Sequence, residues 1–140
     1  MAKPLTIGEA AALTGVSAKM IRYYEEIGML PAAARTESGY RLYNGFMLQQ
    51  LGFIRQARNL GFSLEEIQSL VKLWRDPCRE SREVKAIAEQ HLADISQKIA
   101  ELNRMQQALQ QLAADCRGDS AANCAILDAM IPEHLLTAAV

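Results

Sequence analysis

The 140-residue sequence has no run of roughly 18 apolar residues, so it offers no candidate for a bilayer-spanning helix. Its opening, MAKPLTIGEAAALTG, has one early lysine but no long apolar core ahead of a cleavage site, which argues against a secretory signal. The expected location is the cytoplasm, with no membrane partner. Cysteine is scarce, three residues in all, too few for an iron–sulfur centre that needs about four. Histidine is scarcer still. Neither His91 nor His134 has a nucleophile or an acid partner in sequence, which points away from an enzyme. Aromatic residues make up only 6%, and they cluster between Tyr23 and Phe46.

What is present is a half-apolar chain, which predicts a folded domain of ordinary size or a small domain with an extended element. A formal net charge of −1 hides an asymmetry. Residues 1–60 carry seven Lys/Arg against four Asp/Glu, and residues 61–140 carry eight against twelve. The first part is the one suited to a polyanion.

Ile7 to Gly15 reads as a short Ala-rich helix ending at glycine. Ser17 is placed to cap a second helix, AKMIRYYEEIG, that stops at Gly28. Two short helices joined by a tight turn signal a helix-turn-helix. Pro31 then ends helical geometry, and alternating residues on either side of Ser38-Gly39 predict a β-hairpin, a wing beside the helix pair. A second helical pair follows over 47–60 and 64–75. There Ser63 and Glu66 have capping-box spacing.

Asp76-Pro77 breaks the chain. From about Ser81 to Ala114 neither glycine nor proline interrupts, and Leu92, Ile95, Ile99, Leu102, Met105, Leu109 and Leu112 recur every three or four residues. That is one apolar seam on a helix of roughly 50 Å, at 1.5 Å per residue. So long a seam has too little of its own chain to cover it, so a partner helix from a second subunit, a homodimer, is expected.

On the second helix, Lys19, Arg22, Tyr23 and Glu26 share one face, while Met20, Ile21 and Tyr24 point toward a core. Arg22 can hydrogen-bond two acceptors on a guanine edge, and Lys19 and Tyr23 can reach phosphates or bases. The hairpin adds Arg35, Tyr40 and Arg41. Cations on two adjacent elements predict double-stranded DNA as a partner.

The remaining chemistry lies in CRGDSAANC, Cys116 to Cys124, where the long helix ends. Gly118 lets the chain turn back and bring the two thiols opposite each other. Tetrahedral zinc wants four ligands, and neither histidine is placed to supply them. Two soft thiolates alone favour Cu(I), Ag(I) or Au(I), one per subunit. A thiol pair can also act as a redox sensor by forming a disulfide. Apolar residues at helical spacing in AILDAMIPEHLL predict a short helix over this loop.

LTIGEAAALTGVSAKMIRYYEEIGML, RTESGYRLYN and FIRQARNLGFSLEEI together resemble the MerR family of transcription regulators, over nearly all of the chain except its last dozen or so residues. The resemblance implies a mainly α fold in three parts. A winged helix-turn-helix DNA-binding domain with its second helical pair would span 1–75. A long antiparallel coiled-coil dimerisation helix would span 76–114, and a metal-binding loop with a short helix 115–140. It implies recognition-helix contacts by Arg22 and Tyr23, wing contacts by Tyr40 and Arg41, and flanking backbone contacts by Arg55 and Arg58. The cysteine spacing is similar to the copper-, silver- and gold-responsive branch of the CueR and GolS type. In divalent-ion relatives a further cysteine from the other subunit completes the site. Aligned on Val84-Lys85, that position is Ser81 here, which the resemblance reads as monovalent selectivity. Cys78, one helical turn away, leaves open a Zn²⁺, Hg²⁺ or Pb²⁺ site. The family likeness also implies an activator that reshapes promoter DNA for RNA polymerase at efflux or resistance genes. The family's drug sensors carry an added ligand domain for which this chain has no length.

Overall fold

Capping side chains mark the start of each of the first four helices of this protein. The structure is a computed structural model that describes residues 3–138. It divides into a unit ending at Ala88 and a unit starting at Glu89. In the first, strand β1 (Leu5–Thr6) leads directly into helix α1 (Ile7–Thr14). Thr6 caps α1 by accepting from the Glu9 N–H, and the Glu9 carboxylate accepts from the Thr6 N–H in return. Helix α2 (Ala18–Glu26) starts at Ser17, whose Oγ accepts from the Met20 N–H.

The turn between them depends on Gly15. Its φ is +76°, a left-handed conformation that disfavours any Cβ, and its N–H closes onto the Ala11 carbonyl. The Arg55 guanidinium also occupies the place where a Cβ would stand.

Strands β2 (Ala34–Arg35) and β3 (Arg41–Tyr43) form the expected hairpin, and β1 pairs on the other side of β3 to give an antiparallel order β1-β3-β2. The sequence reading did not anticipate β1, because two residues carry no period-2 pattern. Helix α3 (Gly45–Asn59) begins two residues before the expected Met47, since Asn44 Oδ1 accepts from the Met47 N–H and starts the helix early. Helix α4 (Leu64–Arg75) carries the predicted Ser63–Glu66 capping box.

One core gathers Ala10, Ile21, Tyr24, Tyr43, Leu51, Ile54 and Ile67. Thus α2 is held by Ile21 and Tyr24 while Lys19, Arg22, Tyr23 and Glu26 stay exposed. Burial of such side chains is worth about 1.5–3 kcal/mol each, so the face that α2 presents outward is set by the face it buries. At the end of α4, Trp74 stacks on Phe46 and on Phe53, each with ring centroids 5.4 Å apart, and Arg75 lies 5.3 Å from the Phe46 centroid.

Helix α5 (Ser81–Asp115) runs for 35 residues and crosses the boundary between the units. Five of its seam residues are more than half exposed: Leu92, Ile99, Leu102, Met105 and Leu109. Beyond the loop, the single short helix expected from the sequence is two, α6 (Ala125–Ala129) and α7 (Glu133–Leu136). Pro132 separates them because it has no N–H to continue the ladder. Among the described residues no helix is long and apolar enough to cross a membrane.

Gly15→Ala should lower stability by about 1–3 kcal/mol, because the left-handed φ strains any Cβ and the exposed Arg55 guanidinium has to swing aside. Urea unfolding followed by circular dichroism checks this. A change of a few tenths would mean that the turn relaxes around the methyl.

Candidate nucleic-acid interface and thiol loop

Charged side chains on three elements of the first unit frame α2. Lys19, Arg22 and Tyr23 are exposed along the helix, and Tyr23 packs against Tyr24 with ring centroids 6.0 Å apart. On the hairpin, Tyr40 is 68% exposed at the tip. Arg35 is exposed and donates from Nη1 to the Gly39 carbonyl at 3.0 Å, which stiffens the turn.

Arg41 is engaged differently. Its Nε donates to Glu25 Oε2 at 3.3 Å, and Tyr43 Oη donates to Glu25 Oε1 at 2.6 Å. Burial first, and then the hydrogen bond and charge of Glu25, hold the Tyr43 phenol above its ordinary range. One carboxylate on α2 therefore fastens the hairpin to the helix. The sequence reading did not single out Glu25. The available signal was Arg41 and Tyr43, two apart on a strand and so on one face, opposite an acidic residue of α2.

Arg55 and Arg58, on α3, line a cleft of about 450 Å³ with Gly15, Val16, Ser17, Met20, Tyr24 and Asn59. Arg55 Nη1 donates to the Thr14 carbonyl at 3.2 Å, and Arg58 Nη1 donates to Tyr24 Oη at 2.9 Å. Two braced guanidinium groups beside the first turn of α2 make an electropositive recess whose chemistry suits a phosphate.

In the second unit, α5 ends at Asp115, and the Cys116 N–H still bonds the Leu112 and Ala113 carbonyls at 3.1 and 3.3 Å. Gly118 takes φ +66° and turns the chain. Asp119 then shapes the loop, with Oδ1 accepting from the Ala121 N–H at 2.9 Å and Oδ2 pairing with Arg117 Nε at 3.3 Å. The chain returns at Cys124, the residue before α6. The two thiols are half-buried, and their Sγ atoms lie 3.6 Å apart, within hydrogen-bond reach and not joined as a disulfide. Backbone N–H of Leu127, the Cys116 thiol and backbone N–H of Ile126 favour the Cys124 thiolate and lower its pKa, against burial and the charge of Asp128. Thiolate–metal bonds of about 2.3 Å span at most ~4.6 Å across one ion, so both sulfurs can reach the same ion.

Cys78 and Ser81 belong to the first unit. Cys78 is exposed, with its N–H bonded to Asp76 Oδ1 at 2.8 Å, and Ser81 is the first, exposed residue of α5. The close thiol pair is Cys116 with Cys124.

A helix pair with a braced hairpin defines a winged helix-turn-helix DNA-binding protein. The family model described as MerR family regulatory protein matches residues 6–43, and the one described as MerR, DNA binding matches residues 48–112. Heavy metal-dependent transcription regulator 2 of Rhizobium meliloti is 48% identical over 124 residues, 89% of this chain and 84% of that protein. HTH-type transcriptional regulator CueR of Salmonella typhimurium is 43% identical over 124 residues, 89% of this chain and 90% of that one. The solved structure of transcription regulator PbrR691 from Ralstonia metallidurans CH34 in complex with lead(II) has a TM-score of 0.80 at 33% identity, covering 91% of this chain and 99% of that one. The chain belongs to the MerR family of transcription regulators, and it is not an enzyme.

Glu25→Ala should leave Tyr43 and Arg41 without their acceptor and reduce stability by about 1–3 kcal/mol. It should also weaken DNA binding in a gel-shift titration, since the hairpin is then free of α2. Unchanged affinity in a folded variant would show that the hairpin holds its place without the carboxylate. Because its pKa is lowered, the Cys124 thiolate should persist to lower pH in the folded, metal-free protein than in urea. The pH profile of iodoacetamide labelling at Cys124 should therefore shift toward acid on folding.

Proposed function

We propose that this protein is a homodimeric transcription activator that senses a soft monovalent ion, Cu(I), Ag(I) or Au(I), through Cys116 and Cys124, one ion per subunit. The observation that carries this reading is the 3.6 Å approach of two free, half-buried thiols on a loop shaped by Gly118 and Asp119. Two thiolates around a +1 ion leave one net negative charge, and no third anionic ligand is required. Binding displaces thiol protons, so affinity falls as pH drops. The lowered pKa of Cys124 moves that loss further toward acid. Ser81 in place of a third thiol fits the monovalent assignment.

The exposed α5 seam, Leu92 to Leu109, supports an antiparallel coiled coil between two copies of the chain. Such a dimer would carry two copies of α2 and the hairpin to a palindromic promoter element. There Arg22, Lys19 and Tyr23 read the groove, while Arg35, Tyr40, Arg55 and Arg58 hold the backbone, with Arg41 bracing the hairpin. Metal occupancy favours a dimer form that bends and untwists the DNA. This makes the promoter productive for RNA polymerase at efflux or resistance genes. Such distortion costs on the order of a few kcal/mol, within reach of a difference in metal affinity between two states. Linkage requires that DNA shape alters metal affinity in turn.

A divalent sensor that recruits Cys78 is the second reading, favoured by the likeness to the lead(II)-bound PbrR691 structure. Anaerobic Cu(I) titration against a chelator, with Zn²⁺ in parallel, separates the two. One Cu(I) per subunit, lost in Cys116→Ser and in Cys124→Ser, is the expected result. Tight Zn²⁺ binding that disappears in Cys78→Ser would sink the monovalent assignment. Arg22→Ala should lose specific promoter binding, read by footprinting, while keeping its Cu(I) stoichiometry.

A further inference from the structure

We infer that the Cys116–Cys124 pair is also a two-electron redox switch, so that oxidation to an intramolecular disulfide makes the protein blind to metal. The inference rests on the metal-sensing reading for its consequence, but not for its chemistry. The two sulfurs already touch at 3.6 Å and belong to the same loop, so forming the bond of about 2.05 Å needs no meeting of distant segments. Both residues sit at helix boundaries, Cys116 after the last turn of α5 and Cys124 before the first of α6. The seven residues between them include Gly118 at φ +66°, and they are exposed up to Cys124, so the loop can absorb the small closure. Both thiols are half-buried rather than sealed, which leaves access for a small oxidant.

The oxidant class is a hydroperoxide, with hydrogen peroxide as the simplest member. One thiolate attacks a peroxide oxygen, the O–O bond breaks, and a sulfenic acid forms while hydroxide leaves and is protonated to water. The second thiol then attacks the sulfenic sulfur, the S–O bond breaks, and the hydroxyl leaves as a second water once protonated. Two thiols lose two electrons and two protons, and one peroxide becomes two waters. The sulfur lone pairs that would hold an ion are the ones consumed, so ion and disulfide exclude each other. An occupied site resists oxidation, and an oxidised site takes no ion. Cys78, which is exposed, serves as the internal comparison.

The test uses the full-length reduced protein with hydrogen peroxide as the probe, in the metal-free and the Cu(I)-loaded form. Free thiols are counted by alkylation, and links are mapped by peptide mass spectrometry. The metal-free protein should fall from three free thiols to one, with Cys116 joined to Cys124. Cu(I) binding should vanish and return on reduction with dithiothreitol. The Cu(I)-loaded protein should lose these thiols at least about tenfold more slowly. Oxidation confined to Cys78, disulfides only between chains, or passage to sulfinic acid without a link would each overturn the switch. Disulfide formation in a protein whose reduced form binds no Cu(I) would uphold the redox chemistry and defeat the metal reading. Cu(I) binding without a disulfide would do the reverse.

Discussion

The Glu25 carboxylate is the point from which the first unit is organised. It accepts from Tyr43 and Arg41 of β3, and Tyr43 is also the register partner of Leu5 in β1. Strand β1 runs into Thr6, the residue that starts α1. Helix α2, the hairpin and α1 therefore share one short chain of bonds. A charge-assisted hydrogen bond shielded from water is stronger and shorter than a neutral one. Tyr43 is fully buried, so its phenol has no alternative partner in solvent. Geometry that a flexible wing would have to find on each encounter is set before any ligand arrives.

A second constraint comes from α5, which cannot cover its own apolar seam. In the proposed dimer that seam becomes the interface, and the same helix carries Cys116 just past its last residue. The first proposed ligand is thereby attached to the dimerisation element itself, while the second sits across a seven-residue loop. Drawing two sulfurs onto one ion then acts on a helix end that is already hydrogen-bonded to Leu112 and Ala113. This is the kind of local event that a long rigid element transmits.

Most of the fold was legible in the sequence because its signals are local. Ser17, Ser63 and Gly15 mark helix ends by their own chemistry, and the α5 periodicity recurs every three or four residues from Leu92 to Leu112. What escaped was short or non-local. Strand β1 has two residues and exists only because Tyr43 and Leu42 lie beside it. Asn44 caps α3 through one side-chain bond that spacing alone did not reveal. The split at Pro132 was visible as a residue, but the apolar pattern around it outweighed it. At the site, the proximity of Cys116 and Cys124 was anticipated, whereas Glu25, sixteen residues from Arg41, required the tertiary structure. Asp119, which shapes the loop, carries no signal beyond being an aspartate near a glycine.

Trp74 has a use that its packing makes available. It is the only tryptophan in the chain, and it stacks on Phe46 and Phe53 within the first unit. Its near-ultraviolet emission therefore comes from a single environment, the packing of α4 on α3. The protein carries its own fluorophore in the first unit, separate in sequence from the Cys116–Cys124 loop. Opening or tightening of that unit can be followed in real time without attaching a dye and without touching a thiol.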